Sequence, residues 1–389
     1  MSQTLAEMLQ EPLASVKHRE RHALEEKLAA HNGRVVLFGS GTLGRRALDL
    51  LTGLGAHVLA FTDNNSAAWG TTIEGVPVLS PEEASRLYGK EAVFFVTIWN
   101  DHHWYSQTLA RLTTLGCTSI STYAPIFWRF PDTFLTLLLL TEPPHRLYGE
   151  AADVLKAETI WADEESLDIY RANIAWRALG DASKLPGPPA TWTYFPRDLF
   201  RLGHGDVLVD CGAFDGDSIR TLLADGCDDF AAIYAIEADT VSFENLKSYI
   251  ASLPPAIGAK IKPVECAIGE ERCVLRFECS GSLTSTASED GTLVDCIPLD
   301  ELFAGKSVTM IKMDIEGAEH GALLGGRETI RRDRPIMAVC VYHTQNDIWR
   351  LPLLLSSIMP DYRFFLRAYE GDGFQTVCYA VPPERVCAA

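Results

Sequence analysis

Basic residues are scarce in this chain, and no stretch of it stays apolar for long. Its 389 residues hold 34 Lys and Arg against 52 Asp and Glu, a formal net charge of −18. Such a surface repels phosphate backbones, and no Lys/Arg stripe offsets it, so nucleic acid is not an expected partner. An anionic membrane surface is disfavoured for the same reason. The longest apolar run, Phe134 to Leu140 with Thr136 inside it, is too short to span a bilayer. The first thirty residues lack the apolar core of a signal peptide and carry Glu7, Glu11, Lys17, Arg19, Glu20 and Arg21 instead. Cys-x-x-Cys pairs and Cys/His zinc spacings are missing too. The ten cysteines, among them Cys211, Cys266, Cys340 and Cys378 in or beside apolar runs, read as free thiols acting as small hydrophobes. That usage suits a reducing compartment, and a cytoplasmic location is the expectation.

What is present is an ordinary globular composition, 47% apolar and 22% charged, in a chain long enough for two domains. Residues 1–33 predict an N-terminal helix, with Leu5, Met8, Leu9 and Leu13 at helical spacing. Strands over Val35–Phe38, His57–Phe61, Ala92–Ile98 and Ser119–Thr122 alternate with helical stretches, which predicts a Rossmann-like domain over 34–125. Residues 126–189 read as a helical connector and lid, broken by Pro143-Pro144 and Pro186-Gly187-Pro188-Pro189. The rest, 190–389, reads as a second α/β domain with strands Val207–Asp210, Ile233–Glu237, Ile261–Cys266, Val308–Asp314, Ile336–Val341, Arg363–Arg367 and Thr376–Val381. A hairpin of Cys273–Cys279 with Thr292–Pro298 interrupts them. The fold class is therefore α/β, two Rossmann-like domains joined by a helical connector. The seven strands of the second, the last two close in sequence, fit a class I methyltransferase sheet.

Asp210 closes an apolar strand, and Gly212 and Gly216 bracket a tight loop leading into a helix that starts near Ser218. Glycines there let a backbone approach a ligand closely, and the helix start offers free N–H groups. Asp210, Asp215 and Asp217 make this loop negative. It suits an ammonium- and sulfonium-bearing ligand such as S-adenosylmethionine better than a pyrophosphate, with Ala213 and Phe214 completing the contact. Glu237 stands at the next strand tip, roughly twenty residues after Gly216, where an acid accepts both ribose hydroxyls. Alternatively, Glu237 caps the following helix. Ala238 follows it, and Cys266-Ala267 at the third strand tip would flank an adenine edge.

Taken in order, Asp210–Asp217, Glu237, Val294–Leu302 and Ile311–Glu319 resemble the FkbM-type methyltransferase family. Tyr194-Phe195-Pro196, Val341-Tyr342-His343 with Asp347-Ile348-Trp349, and Tyr362–Arg367 extend the likeness over roughly residues 190–382. The resemblance implies oxygen methylation of a small polar acceptor, a carbohydrate, nucleotide-sugar or secondary metabolite. The residues add their own argument. Asp314, Glu316 and Glu319 lie at the C-terminal rim of a parallel sheet, where open α/β sheets bind ligands. Methyl transfer must align an acceptor oxygen and remove its proton. Asp314 stands where donor and acceptor meet, Glu316 and Glu319 can orient a hydroxyl or hold a divalent cation, and His343 is the candidate base. Glu319 equally reads as a helix cap. A metal held by Asp314, Glu319 and His343 stays open, with oxygen-rich ligation favouring magnesium or calcium.

In the first domain, Gly39-x-Gly41-x-x-Gly44 follows a strand and opens a helix, with Asp63 at the next strand tip, a fingerprint for a nucleotide or nucleotide-sugar. A fold used only for docking or as a homo-oligomer interface accounts for it as well. His102-His103 resembles a zinc pair only superficially. Two other functions stay open: an NAD-dependent sugar oxidoreductase or epimerase, and a silent nucleotide-binding scaffold. No Tyr-x-x-x-Lys supports the former in this half.

Overall fold

The computed structural model describes residues 4–100, 102–134, 142–189, 194–277 and 291–387. The chain forms two compact units. The first comprises Met1–Leu155, Asp168–Pro189 and Ala368–Gln375, and the second Lys156–Leu167, Ala190–Arg367 and Thr376–Ala389. The stretch expected as a connector is thus shared between the units, and its apolar run after Phe134 lies outside the described residues.

In the first unit the N-terminal segment is two helices, Leu5–Met8 and Leu13–Ala30, where one is expected. Pro12 divides them: it lacks an N–H and disfavours helical backbone in the residue before it. Six strands follow: β1 (Arg34–Phe38), β2 (His57–Thr62), β3 (Thr72–Ile73), β4 (Val76–Leu79), β5 (Val93–Val96) and β6 (Ile120–Thr122). Their order is β3-β4-β2-β1-β5-β6, parallel except for the β3–β4 pair. The β3–β4 ribbon is absent from the sequence expectation because Pro77 sits inside it and argues against a strand. Val35 to Phe38 are buried throughout, as a strand covered on both faces requires.

All seven expected strands of the second unit are present: β7 (Val207–Cys211), β8 (Ala232–Glu237), β9 (Ile261–Glu265), β13 (Met310–Met313), β14 (Ile336–Cys340), β15 (Arg363–Ala368) and β16 (Thr376–Val381). They form one sheet in the order β15-β16-β14-β13-β7-β8-β9. From β14 through β9 neighbours run parallel, and β16 is antiparallel to β14. The tips of β7, β8 and β13 therefore meet at one rim. A small separate sheet joins β10 (Ala267–Ile268), β11 (Cys273–Phe277) and β12 (Thr292–Ile297), with β11 antiparallel to β12 as the hairpin expectation requires. Cys279 and the polar loop of that hairpin lie outside the described residues. Cys211, Cys266, Cys340 and Cys378 are buried free thiols. Among the described residues no helix is long and apolar enough to cross a membrane.

Candidate active site

The loop after β7 is held by the strands beside it. Gly212 has φ +78, and a Cβ there would stand 1.9 Å from the Asp314 carbonyl oxygen, so only glycine fits where the chain beyond β13 passes. Gly212 and Ala213 donate their N–H groups to the Ile236 carbonyl at 3.0 and 2.9 Å, tying the loop to β8. Gly216, with φ +93, opens the helix Asp217–Ala224 without any side-chain cap, and Phe214 adopts a left-handed φ of +45. Asp215 turns to Arg220 in an ion pair. Burial pushes the Asp217 carboxyl up from its usual range.

Glu237, at the tip of β8, accepts from the Phe214 N–H through Oε2 and from the Asp239 N–H through Oε1, both at 2.7 Å. The cap of the following helix, Thr240–Ser252, is Asp239, which accepts from the Ser242 N–H at 2.8 Å. Glu237 therefore braces the loop rather than capping the helix. Burial raises its pKa, opposed by those two backbone donors. Ala238 packs with Ala267, Val294 and Cys296 in a small apolar cluster. Cys266 is buried, donates its backbone N–H to the Glu237 carbonyl at 3.2 Å, and has its thiol pushed up to about 12 by burial.

Beneath the loop lies a residue the sequence reading passed over. Lys312, only 3% exposed, stands 2.9 Å from Asp210 Oδ1 and donates to the Gly212 carbonyl at 2.7 Å. Its ammonium also lies 5.1 Å from the centre of the Tyr194 ring. Burial alone would lower its pKa, but Asp210, Asp314 and Asp217 hold it raised and charged. Asp210 is pushed up to about 6 by burial, with Lys312 pulling the other way. The signal was available: Lys312 is a lone charge inside Met310-Ile311-Lys312-Met313, and a buried charge must be paired.

At the rim, Asp314, Glu316, Glu319 and His343 do come together. His343 Nε2 is 3.1 Å from Asp314 Oδ1 and 3.7 Å from Glu316 Oε1, while Nδ1 is 3.0 Å from Glu319 Oε1. Glu319 Oε1 is itself fixed by the Ile315 N–H at 2.9 Å. Asp314 also accepts from Tyr194 and Tyr342 hydroxyls at 2.8 and 3.2 Å. Burial works against a charged His343, yet Glu319 and Asp314 outweigh it and raise its pKa well above the usual value. Burial likewise opposes an ionised Asp314, but His343, Lys312 and Tyr194 hold it well below the carboxylate range. Glu316 is left over. Its side chain is 31% exposed, and burial and the neighbouring acids push it up to about 7 despite His343.

The group whose atoms converge within 4.8 Å of one another, as a metal site would need, is Asp314, Glu316 and His343. Glu319, expected in that set, is occupied on the other ring nitrogen. Asp314 and Glu319 favour a protonated His343, and only neutral imidazole ligates, so a cation there would compete with a proton.

Residues 210–370 match the family model described as the methyltransferase FkbM domain. Over those residues, nearly all of them in the second unit, the chain is similar to that family's domain. The likeness extends to a solved structure, the methyltransferase FkbM from Methylobacillus flagellatus KT. That match has a TM-score of 0.73 at 21% identity and covers 97% of this chain and 100% of the other, a likeness of fold. An rRNA methylase from Streptococcus thermophilus is similar at 12% identity over 48% of this chain and 90% of its own, with a TM-score of 0.29. Aeropyrum pernix fibrillarin in complex with natively bound S-adenosyl-L-methionine is similar at 12% identity over 46% and 67%, with a TM-score of 0.28. No curated protein sequence matches the chain. The loop from Asp210, the Glu237 tip and the Asp314–His343 rim all fall inside the matched residues.

Proposed function

We propose that the FkbM domain transfers a methyl group from S-adenosylmethionine to a hydroxyl oxygen of a small polar acceptor, of carbohydrate or secondary-metabolite type. The supporting observation is a set of buried acceptors with no donor. Asp210 Oδ2, Asp217 Oδ1 and Ser218 Oγ are buried at the loop and have no hydrogen-bond partner among the described residues. Unpaired buried acceptors are costly, and the amino group of a methionine moiety is chemistry that satisfies them. Glu237 has two backbone donors on four lone-pair sites, which leaves room for ribose hydroxyls. The bound donor supplies an electrophilic methyl group on its sulfonium.

The rim supplies the proton chemistry. Asp314 and Glu319 flank His343 and favour its protonated form, which makes it a poor proton acceptor in this reading. Its charge instead keeps Asp314 ionised and fixes both neighbours. Glu316, the most exposed of the four and poised near neutrality, is the base that removes the acceptor's hydroxyl proton. In this reading Glu316, rather than the His343 expected from the sequence, is the base, and His343 is its positioning residue.

The test is to incubate the chain with donor labelled in its methyl carbon and a mixture of small polyhydroxylated compounds, then treat the products with base. Label is expected in a base-stable methyl ether. Label in a base-labile ester, in a methylamine, or in no product at all would overturn oxygen methylation of a hydroxyl.

A further inference from the structure

The proposed methyl transfer leaves unused a cleft in the first unit, at the C-terminal ends of β1, β2 and β5. This cavity is about 590 Å³, and its lining includes Gly41, Thr42, Arg46, Asp63, Trp99 and His103. That volume is in the range that encloses most of a small ligand. The helix Thr42–Gly53 starts at its edge from Gly41 with no side-chain cap, so its first N–H groups face the cleft without a side-chain acceptor. Gly44 packs so tightly on the preceding turn that a Cβ would come 2.0 Å from the Gly39 carbonyl oxygen, whereas Gly41 faces open space. One turn into the helix, Arg46 makes no hydrogen bond or ion pair among the described residues. An unpaired cation beside an uncapped helix start is a place for an anion.

The rest of the lining points to what carries that anion. Trp99 is 45% exposed and lies 6.1 Å from the Phe374 ring centre, which leaves ring surface on which a flat base could stack. His103, 8% exposed, bonds Thr108 through Nε2 at 2.9 Å. Its Nδ1 has no hydrogen-bond partner among the described residues, and its nearest charge is Asp372 Oδ2 at 3.6 Å. Asp63 behaves differently from the ribose acceptor the fingerprint suggests. Its Oδ2 accepts from the Ser40 N–H at 2.9 Å and hydroxyl at 2.5 Å, and its Oδ1 accepts from the Asn65 N–H at 2.9 Å. The acid is spent on shaping the loop, which leaves Arg46 and the helix start for charge and Trp99 for a ring.

We infer that this cleft binds a nucleoside diphosphate group, either free or attached to a sugar. The inference is independent of methyl transfer. Calorimetry on the full chain with ADP, UDP, a UDP-sugar and inorganic pyrophosphate tests it, with S-adenosylhomocysteine as a control for the other unit. At least one nucleoside diphosphate is expected to bind at a single site more tightly than pyrophosphate. Arg46→Glu should weaken it about tenfold or more by removing a charge-assisted contact. Trp99→Ala should weaken it about fivefold or more by removing the stacking surface. Both positions are exposed, so both variants should keep the fold and leave the control unchanged. No saturable binding of any nucleotide, pyrophosphate binding as tightly as the nucleotides, or unchanged affinity in both variants would each overturn the inference. A UDP-sugar binding tighter than UDP identifies the sugar-linked form.

Discussion

Replacing Glu316 by Gln is expected to lower kcat by about 10²–10⁴-fold, the usual share of a positioned general base. Affinity for the methyl donor should stay within about twofold, since in the proposed reading the donor is held by the loop after β7 and by Glu237. The wild-type rate should also carry a pH signature. Glu316 is raised to about 7, and a base works only when deprotonated. Turnover should therefore be full above that value and fall as pH drops through it, and this inflection should vanish in the Gln variant. If His343 were the base, the inflection would lie at distinctly higher pH, because two carboxylates hold its proton. A Gln variant that turns over like the wild type would remove Glu316 from the reaction.

The second large effect is on stability. Lys312→Met should destabilise the chain by about 3–5 kcal/mol, the cost of leaving a buried charge without its partner. Lys312 and Asp210 are both buried and 2.9 Å apart, and Asp217 and Asp314 contribute to the same electrostatic cluster. The methionine keeps most of the lysine's bulk, so the loss reports on charge rather than on a cavity. Calorimetric melting of wild type and variant measures it, and a change below about 1 kcal/mol would mean that Asp210 is stabilised by something other than Lys312.

Six of the seven strands of the second sheet were legible because they are buried on both faces and so read as near-continuous apolar runs, whereas the edge strand β9 buries only Ile261. The β3–β4 ribbon was not, since Pro77 masks a strand of four residues, whereas the break at Pro12 was written in the sequence and passed over for the apolar spacing around it. At the site, the Asp210–Gly216 loop and the Glu237 tip were legible from glycine placement and strand ends. What sequence spacing could not give was which partner each charged group finds. His343 looks like a free base when read alone. Only the fold brings Asp314 and Glu319 to within 3.1 and 3.0 Å of its two nitrogens, where both carboxylates favour its protonated form. Glu319 looks like a metal ligand or a cap until its oxygen is found on Ile315 and His343. Asp63 reads as the closing acid of a nucleotide fingerprint until the loop's own donors are counted.

Titration calorimetry of S-adenosylmethionine into the full chain and its Glu237→Ala variant tests the methyl-donor site most directly. Saturable one-site binding is predicted for the wild type, weakened in the variant by roughly 1–3 kcal/mol, the scale of charge-assisted hydrogen bonds left unmade. Absence of binding to the folded wild type, or identical affinity in the variant, would contradict it.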